Sequence, residues 1–124
     1  MYEKLDSAEV EKLIDDLPKP AGPYLLIAVP KVEEKTKGGI YRPDILKDRE
    51  GMATIFGLVL DMGADAYQDH SRFPNGPRCK VGDWVMFRSY SGTKFKYDGR
   101  EYRVIFDDGV EAIVPDPAKF ERAA

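Results

Sequence analysis

Apolar residues recur at helical spacing near the start of the chain, where Val10, Leu13, Ile14 and Leu17 share one face of a 3.6-residue period. Asp6 is placed to cap that helix, with Glu9 three residues further on, and Pro18 stops it. The pattern then changes. Lys19-Pro20-Ala21-Gly22-Pro23 cannot continue a helix and forms a stiff linker. From Tyr24 to Val29 the apolar run is nearly unbroken, as in a strand covered on both faces, and Pro30 closes it. The short amphipathic helix is therefore an appendage, and the sequence leaves its docking site open.

Strand patterning resumes at Thr54-Ile55-Phe56-Gly57-Leu58-Val59-Leu60, where Gly57 is expected to mark a bulge or a barrel corner. Lys80-Val81-Gly82-Asp83 predicts a tight turn into the strand Trp84-Val85-Met86-Phe87, whose aromatic residues suit a barrel core or a subunit interface. Lys94-Phe95-Lys96-Tyr97 alternates cleanly, Asp98-Gly99 is a two-residue hairpin signal, and Arg100 to Phe106 returns as the partner strand. Asp107-Asp108-Gly109 turns again into Val110-Glu111-Ala112-Ile113-Val114. Short strands with turns at this spacing predict an all-β fold, a small barrel or sandwich.

Two stretches break the strand pattern. Residues 63–80 are rich in turn formers at Pro74-Asn75-Gly76-Pro77 and bring Asp65, Asp69, His70 and Ser71 close in sequence. A Ser-His-Asp site needs a base held rigidly against its nucleophile and an oxyanion pocket opposite, so a polar loop is the better account. The other stretch follows the first strand: Val32-Glu33-Glu34-Lys35-Thr36-Lys37 is charged, Gly38-Gly39 gives the backbone unusual freedom, and Ile40-Tyr41 precede Arg42-Pro43. With the charged run Lys47-Asp48-Arg49-Glu50 it makes a connection of about twenty residues, long enough to expect a function. Ile40 and Tyr41 either tuck back onto their own barrel or add themselves to a partner's groove.

Composition narrows the classes. The 124 residues suit one domain, and 19 basic against 22 acidic residues give a net charge of −3, which offers no bulk attraction to nucleic acid or to an anionic membrane. Lys94, Lys96, Arg100 and Arg103 interleaved with Phe95, Tyr97 and Tyr102 could supply charge and stacking to a nucleic acid, but a strand pair with basic outer positions has the same sequence pattern. Cys79 and His70 are single residues of their kinds, so neither an internal disulfide nor a conventional zinc site is expected, and Cys79 fits a small buried hydrophobe. No phosphate loop is present. The N-terminus lacks signal-peptide regions and no apolar run approaches the ~20 residues of a membrane span, so a cytoplasmic location is expected.

Four blocks in order resemble the GroES family of co-chaperonins: Lys35-Thr36-Lys37-Gly38-Gly39-Ile40 after the first strand, Pro43-Asp44, Lys80 through Phe87, and Val104-Ile105-Phe106 with Ala112-Ile113-Val114. The resemblance implies a partly open β-barrel domain over residues 23–115, with a mobile loop at about 31–53 and a roof hairpin at about 63–80. An N-terminal extension, residues 1–22, precedes it and a tail, 116–124, follows it. It also implies a heptamer whose subunits meet through Leu25, Leu26, Ile27 and Val29 of the first strand and through Ala112, Ile113 and Val114. The role implied is a non-enzymatic lid for an ATP-driven chaperonin ring, held by Gly38, Gly39, Ile40, Tyr41, Arg42 and Pro43 and enclosing a substrate protein. No cofactor is implied, since ATP would be bound by the chaperonin.

Arg42 departs from the family, which prefers an apolar third residue after the glycines, so either the groove is met differently, with Ile45 and Leu46 helping, or binding is weaker. The helix, the longer roof segment and the tail are similar to additions in bacteriophage-encoded co-chaperonins that fold a capsid protein in the host cytoplasm. The alternative is a structural virion or assembly component on the same barrel, with helix, loop and tail as clamping arms.

Overall fold

A computed structural model of the chain describes residues 14–30, 55–120 and 123. Its frame is one six-stranded antiparallel sheet of β1 (Tyr24–Ala28), β2 (Phe56–Met62), β3 (Trp84–Met86), β4 (Thr93–Tyr97), β5 (Arg100–Phe106) and β6 (Ala112–Ile113). Their order across the sheet is β4-β5-β1-β2-β3-β6, which leaves β4 and β6 as edges and the barrel partly open between them. The expected all-β class, with a partly open barrel, is the fold found.

β1 sits near the middle because its sequence suits burial on both faces. Leu25 and Ile27 point into the interior cluster with Val59, Val85, Phe87 and Ile105, while Leu26 and Ala28 join Leu60 and Tyr102 on the opposite face. The β4–β5 hairpin closes through Asp98 and Gly99, with φ of 51° and 79°, the paired left-handed geometry that Asp-Gly favours.

Three expectations are corrected. Gly57 marks no bulge: the register shift in the β1–β2 pair lies between Leu26 and Ile27, which face Asp61 and Val59 and leave Leu60 as the extra residue. Gly57 instead permits close approach, since a Cβ there would stand 2.4 Å from Ile27 Cγ2 and 2.8 Å from the Ala28 carbonyl. Residues 63–80 form no roof hairpin; they run as a series of turns that sends Ala66, Tyr67, Phe73 and Cys79 into the interior. The third concerns Arg103, expected among outward basic positions. It is 1% exposed, stacks over Phe87 at 5.0 Å, and donates from Nη1 to the Ser89 carbonyl at 2.8 Å. Burial lowers its pKa, and its Nε, 3.7 Å from Glu101, lacks a hydrogen-bond partner. Its position on β5 puts it on the same side as Ile105, so register overrides the charge pattern.

Of the N-terminal helix, residues 14–16 are helical and the rest lies outside the described residues. In the tail, Asp116 caps a 3₁₀ turn over Pro117–Lys119 by accepting from the Ala118 amide at 3.1 Å.

Candidate functional site

The irregular segment is held in place by a buried carboxylate. Asp107 follows β5 directly and accepts from the Tyr67 amide at 3.1 Å and from Arg72 Nη2 at 3.2 Å, while Asp108 pairs with the same nitrogen at 3.2 Å. Tyr67 has φ of 61°, a costly conformation for an aromatic residue, and the Asp107 bond and the T-shaped packing on Phe73 at 4.9 Å hold it there. Arg72 and Arg78 flank the Phe73 ring at 4.9 and 5.1 Å. The Tyr67 hydroxyl lies 3.5 Å from Cys79 Sγ, and burial pushes the pKa of both groups up. Cys79 is thus a buried, protonated thiol, as its isolation in the sequence implies.

The candidate triad dissolves in the same segment. Asp69 Oδ1 accepts from the Ser71 hydroxyl at 2.7 Å and from the amides of Ser71 and Arg72 at 3.1 and 3.4 Å. The Ser71 hydroxyl bond is the main cause of the lowered Asp69 pKa. This is a turn-stabilising carboxylate on the surface, and the Ser71 hydroxyl is engaged by an acid rather than by a histidine. Among the described residues no group of three or more His, Cys, Asp or Glu could hold a metal. A depression lined by Arg78, Asp108, Val110, Glu111 and Ala112 is charged, with Arg78 bonded to the carbonyls of Asp108 and Val110.

Two features have the character of interaction sites. The first is the connection between β1 and β2. Its ends are fixed at one end of the sheet, because the Val29 amide donates to the Glu101 carbonyl at 3.0 Å and the Phe87 amide to the Ile55 carbonyl at 2.8 Å. The expected binding residues Gly38, Gly39, Ile40, Tyr41, Arg42 and Pro43 belong to this connection and lie outside the described residues.

The second is the β6 edge. β3 holds β6 through the pairs Val85↔Ile113 and Met86↔Ala112, and the Glu111 and Val114 amides each donate at 2.8 Å to β3 carbonyls. Ile113 is 51% exposed on this edge and Ala112 is exposed beside it, whereas Val114 turns in against Phe56. Ile55, Trp84 and Met86 pack half-buried around that pair, with the Trp84 and Phe56 rings 5.6 Å apart. An apolar edge strand backed by half-open apolar side chains is a surface suited to strand pairing with another chain.

The other expected contact surface is differently placed. Leu25, Leu26, Ile27 and Val29 are buried, and β5 and β2 occupy both edges of β1, so the first strand has no edge to offer a neighbour. What separates the two segments is position in the sheet: β1 lies between β5 and β2, whereas β6 ends the sheet. The Trp84–Phe87 motif marked the cluster behind β6; nothing in the pattern marked Asp107 or Tyr67.

Comparison with known proteins agrees with this geometry. The model of the Cpn10 family, the chaperonin 10 kDa subunit, matches residues 18–114. The co-chaperonin GroES of Bacillus sp. strain PS3 is 38% identical over 96 residues, covering 77% of this chain and 97% of its own length. Those of Geobacillus kaustophilus and Enterococcus faecalis are 35% identical over 96 residues and 37% over 100, each again over 77% of this chain and over 98% and 97% of the relatives. On the matched family region, which runs from the linker through β6, the chain belongs to the chaperonin 10 kDa family, the non-enzymatic co-chaperonins of GroES type.

Proposed function

We propose that the chain is a ring-forming subunit that caps an ATP-driven chaperonin in the cytoplasm and helps enclose a folding protein, with Gly38, Gly39, Ile40, Tyr41, Arg42 and Pro43 as its contact. The observation that carries this reading is that the family match, residues 18–114, spans the β1–β2 connection and ends just past β6, taking in both interaction features. The connection leaves and re-enters at anchored ends, so a segment that docks there transmits its grip to the sheet. Burying Ile40 and Tyr41 contributes about 2–3 kcal/mol each, and repetition around a ring of seven turns modest contacts into avidity. In the assembly, subunits meet through Ala112 and Ile113, the exposed members of the expected contact. ATP belongs to the chaperonin. In its finer form the reading makes the enclosed protein a bacteriophage capsid protein, supported by additions outside residues 18–114.

The structural alternative, a virion component with clamping arms, finds less support. Leu17 of the N-terminal arm is seated on its own sheet. Immobilised chain is expected to retain a bacterial chaperonin when ATP is present, and the double variant Ile40→Ala, Tyr41→Ala to lose it. Failure of the unaltered chain to retain any chaperonin, with a structured and assembled protein on the support, rejects the reading.

A further inference from the structure

We propose that Arg103 is a positioning residue for the chaperonin contact: from the barrel interior it locks the two ends of the β1–β2 connection to each other, and it serves that geometry rather than stability. The link to the contact rests on the function proposed above. Residues 87–92 carry the chain from β3 to β4, which have β5, β1 and β2 between them in the sheet, and Arg103 reaches over from β5 to hold this segment. Its guanidinium lies over the Phe87 ring at 5.0 Å, and its Nη1 donates to the Ser89 carbonyl at 2.8 Å with the Ser91 carbonyl 3.5 Å away. Both ends of the connection are one hydrogen bond from this cluster. Phe87 donates its amide to Ile55, the residue just before β2. Glu101, whose carboxylate lies 3.7 Å from Arg103 Nε, accepts through its carbonyl from Val29, the residue just after β1.

The energetics argue against a stabilising role. Arg103 is buried and gives up its hydration, yet its Nε finds no hydrogen-bond partner, and a buried donor left unpaired costs stability. Replacing a buried charge by an apolar side chain of similar volume is often neutral or stabilising. An apolar residue would suit this place, since Ile27 faces Arg103 across β1 and Ile105 follows it on the same side of β5. It could not hold a carbonyl of the crossing segment. The guanidinium does so while laying a planar face on Phe87, which neither lysine nor an aliphatic side chain can do. A connection whose ends are held in place has less freedom to lose on binding, so loosened ends lower affinity without altering the contact residues.

The variant Arg103→Met separates positioning from stability. Its urea midpoint is expected to stay the same or rise. Hydrogen exchange of the Val29 and Phe87 amides, read by mass spectrometry on the full chain, is expected to become at least roughly tenfold faster, while that of the Val59 amide, bonded to Asp83, does not change. Retention by a bacterial chaperonin with ATP is expected to weaken about tenfold, and Arg103→Lys, which keeps a donor for the Ser89 carbonyl, to recover part of both effects. Unchanged exchange at Val29 and Phe87 overturns the proposal. So does a variant that unfolds, or that melts at lower urea with faster exchange at Val59 as well, because Arg103 would then be a general stabiliser. A variant with loosened ends that binds the chaperonin as tightly as the unaltered chain overturns it too. The exchange measurement needs no chaperonin, so its failure is distinct from failure of the unaltered chain to retain one, which counts against the proposed function.

Discussion

The two edges of the sheet are built on opposite principles. β4 presents Lys94 and Lys96 to solvent, and its last residue, Tyr97, is tied to Asp16. β6 is two residues long, uncharged, and carries the exposed Ile113 opposite Val85, next to Val114, which packs on Phe56 among Trp84 and Met86. Lysines on an edge strand oppose addition of a further strand because pairing would desolvate them; an apolar edge invites it. On the proposed reading, the difference would direct assembly to one side of the subunit. A contact in which one edge meets a different surface on the next copy closes into a ring where the rotation between copies closes, and otherwise runs on as an open helix.

The largest test of that contrast is Ile113→Asp. It removes about 2 kcal/mol of apolar burial and puts a carboxylate into the contact, so the concentration for assembly rises on the order of a hundredfold or more. Sedimentation velocity across a dilution series measures this, and an unchanged profile means that β6 is not the contact. The converse change, Lys94→Val with Lys96→Val, is expected to make β4 adhesive and to lower the onset of aggregation roughly tenfold in concentration, read by light scattering.

A third experiment asks whether the edges share one interior. Burial raises the pKa of the Cys79 thiol and of the Tyr67 phenol above their unfolded values, so the folded state prefers both protonated. The effect at Cys79 is complete below the unfolded thiol pKa of about 8.5 and is lost as pH rises toward the folded value, at no more than about 1.4 kcal/mol per pH unit, whereas Tyr67 begins to lose its own only above the unfolded phenol pKa of about 10. Urea midpoints are expected to fall between pH 7.5 and 9.5, less steeply in Cys79→Ala, with strands at both edges melting together. The smallest effect belongs to Tyr97→Phe, which removes one exposed hydrogen bond and is expected to lower the thermal midpoint by no more than roughly 2 °C. A much larger loss would mean that the β4 edge depends on the Asp16 contact alone.

The β4–β5 hairpin was legible because its alternation and its Asp-Gly turn are local signals, and β1 because a strand covered on both faces needs an unbroken apolar run. Residues 63–80 were not, because their buried residues Tyr67, Phe73 and Cys79 follow no period and are placed by a carboxylate 40 positions away from Tyr67. Arg103 failed for a related reason: charge predicted an outward side chain, while the register of β5 against β1 put it inside, over Phe87. The exposed half of the candidate contact, Ala112 and Ile113, lay within the family-like motif. That β1 has no free edge could not be read before the strand order was known, since a long apolar strand suits an interface and a sheet interior equally.

The most direct measurement is sedimentation velocity of the chain alone, then mixed with a bacterial chaperonin with and without ATP, beside the Ile40→Ala, Tyr41→Ala variant. The account predicts a ring-sized species that joins the chaperonin when nucleotide is present, and a variant that still forms the ring but does not join. A chain that forms rings yet never joins the chaperonin under any nucleotide condition would contradict it.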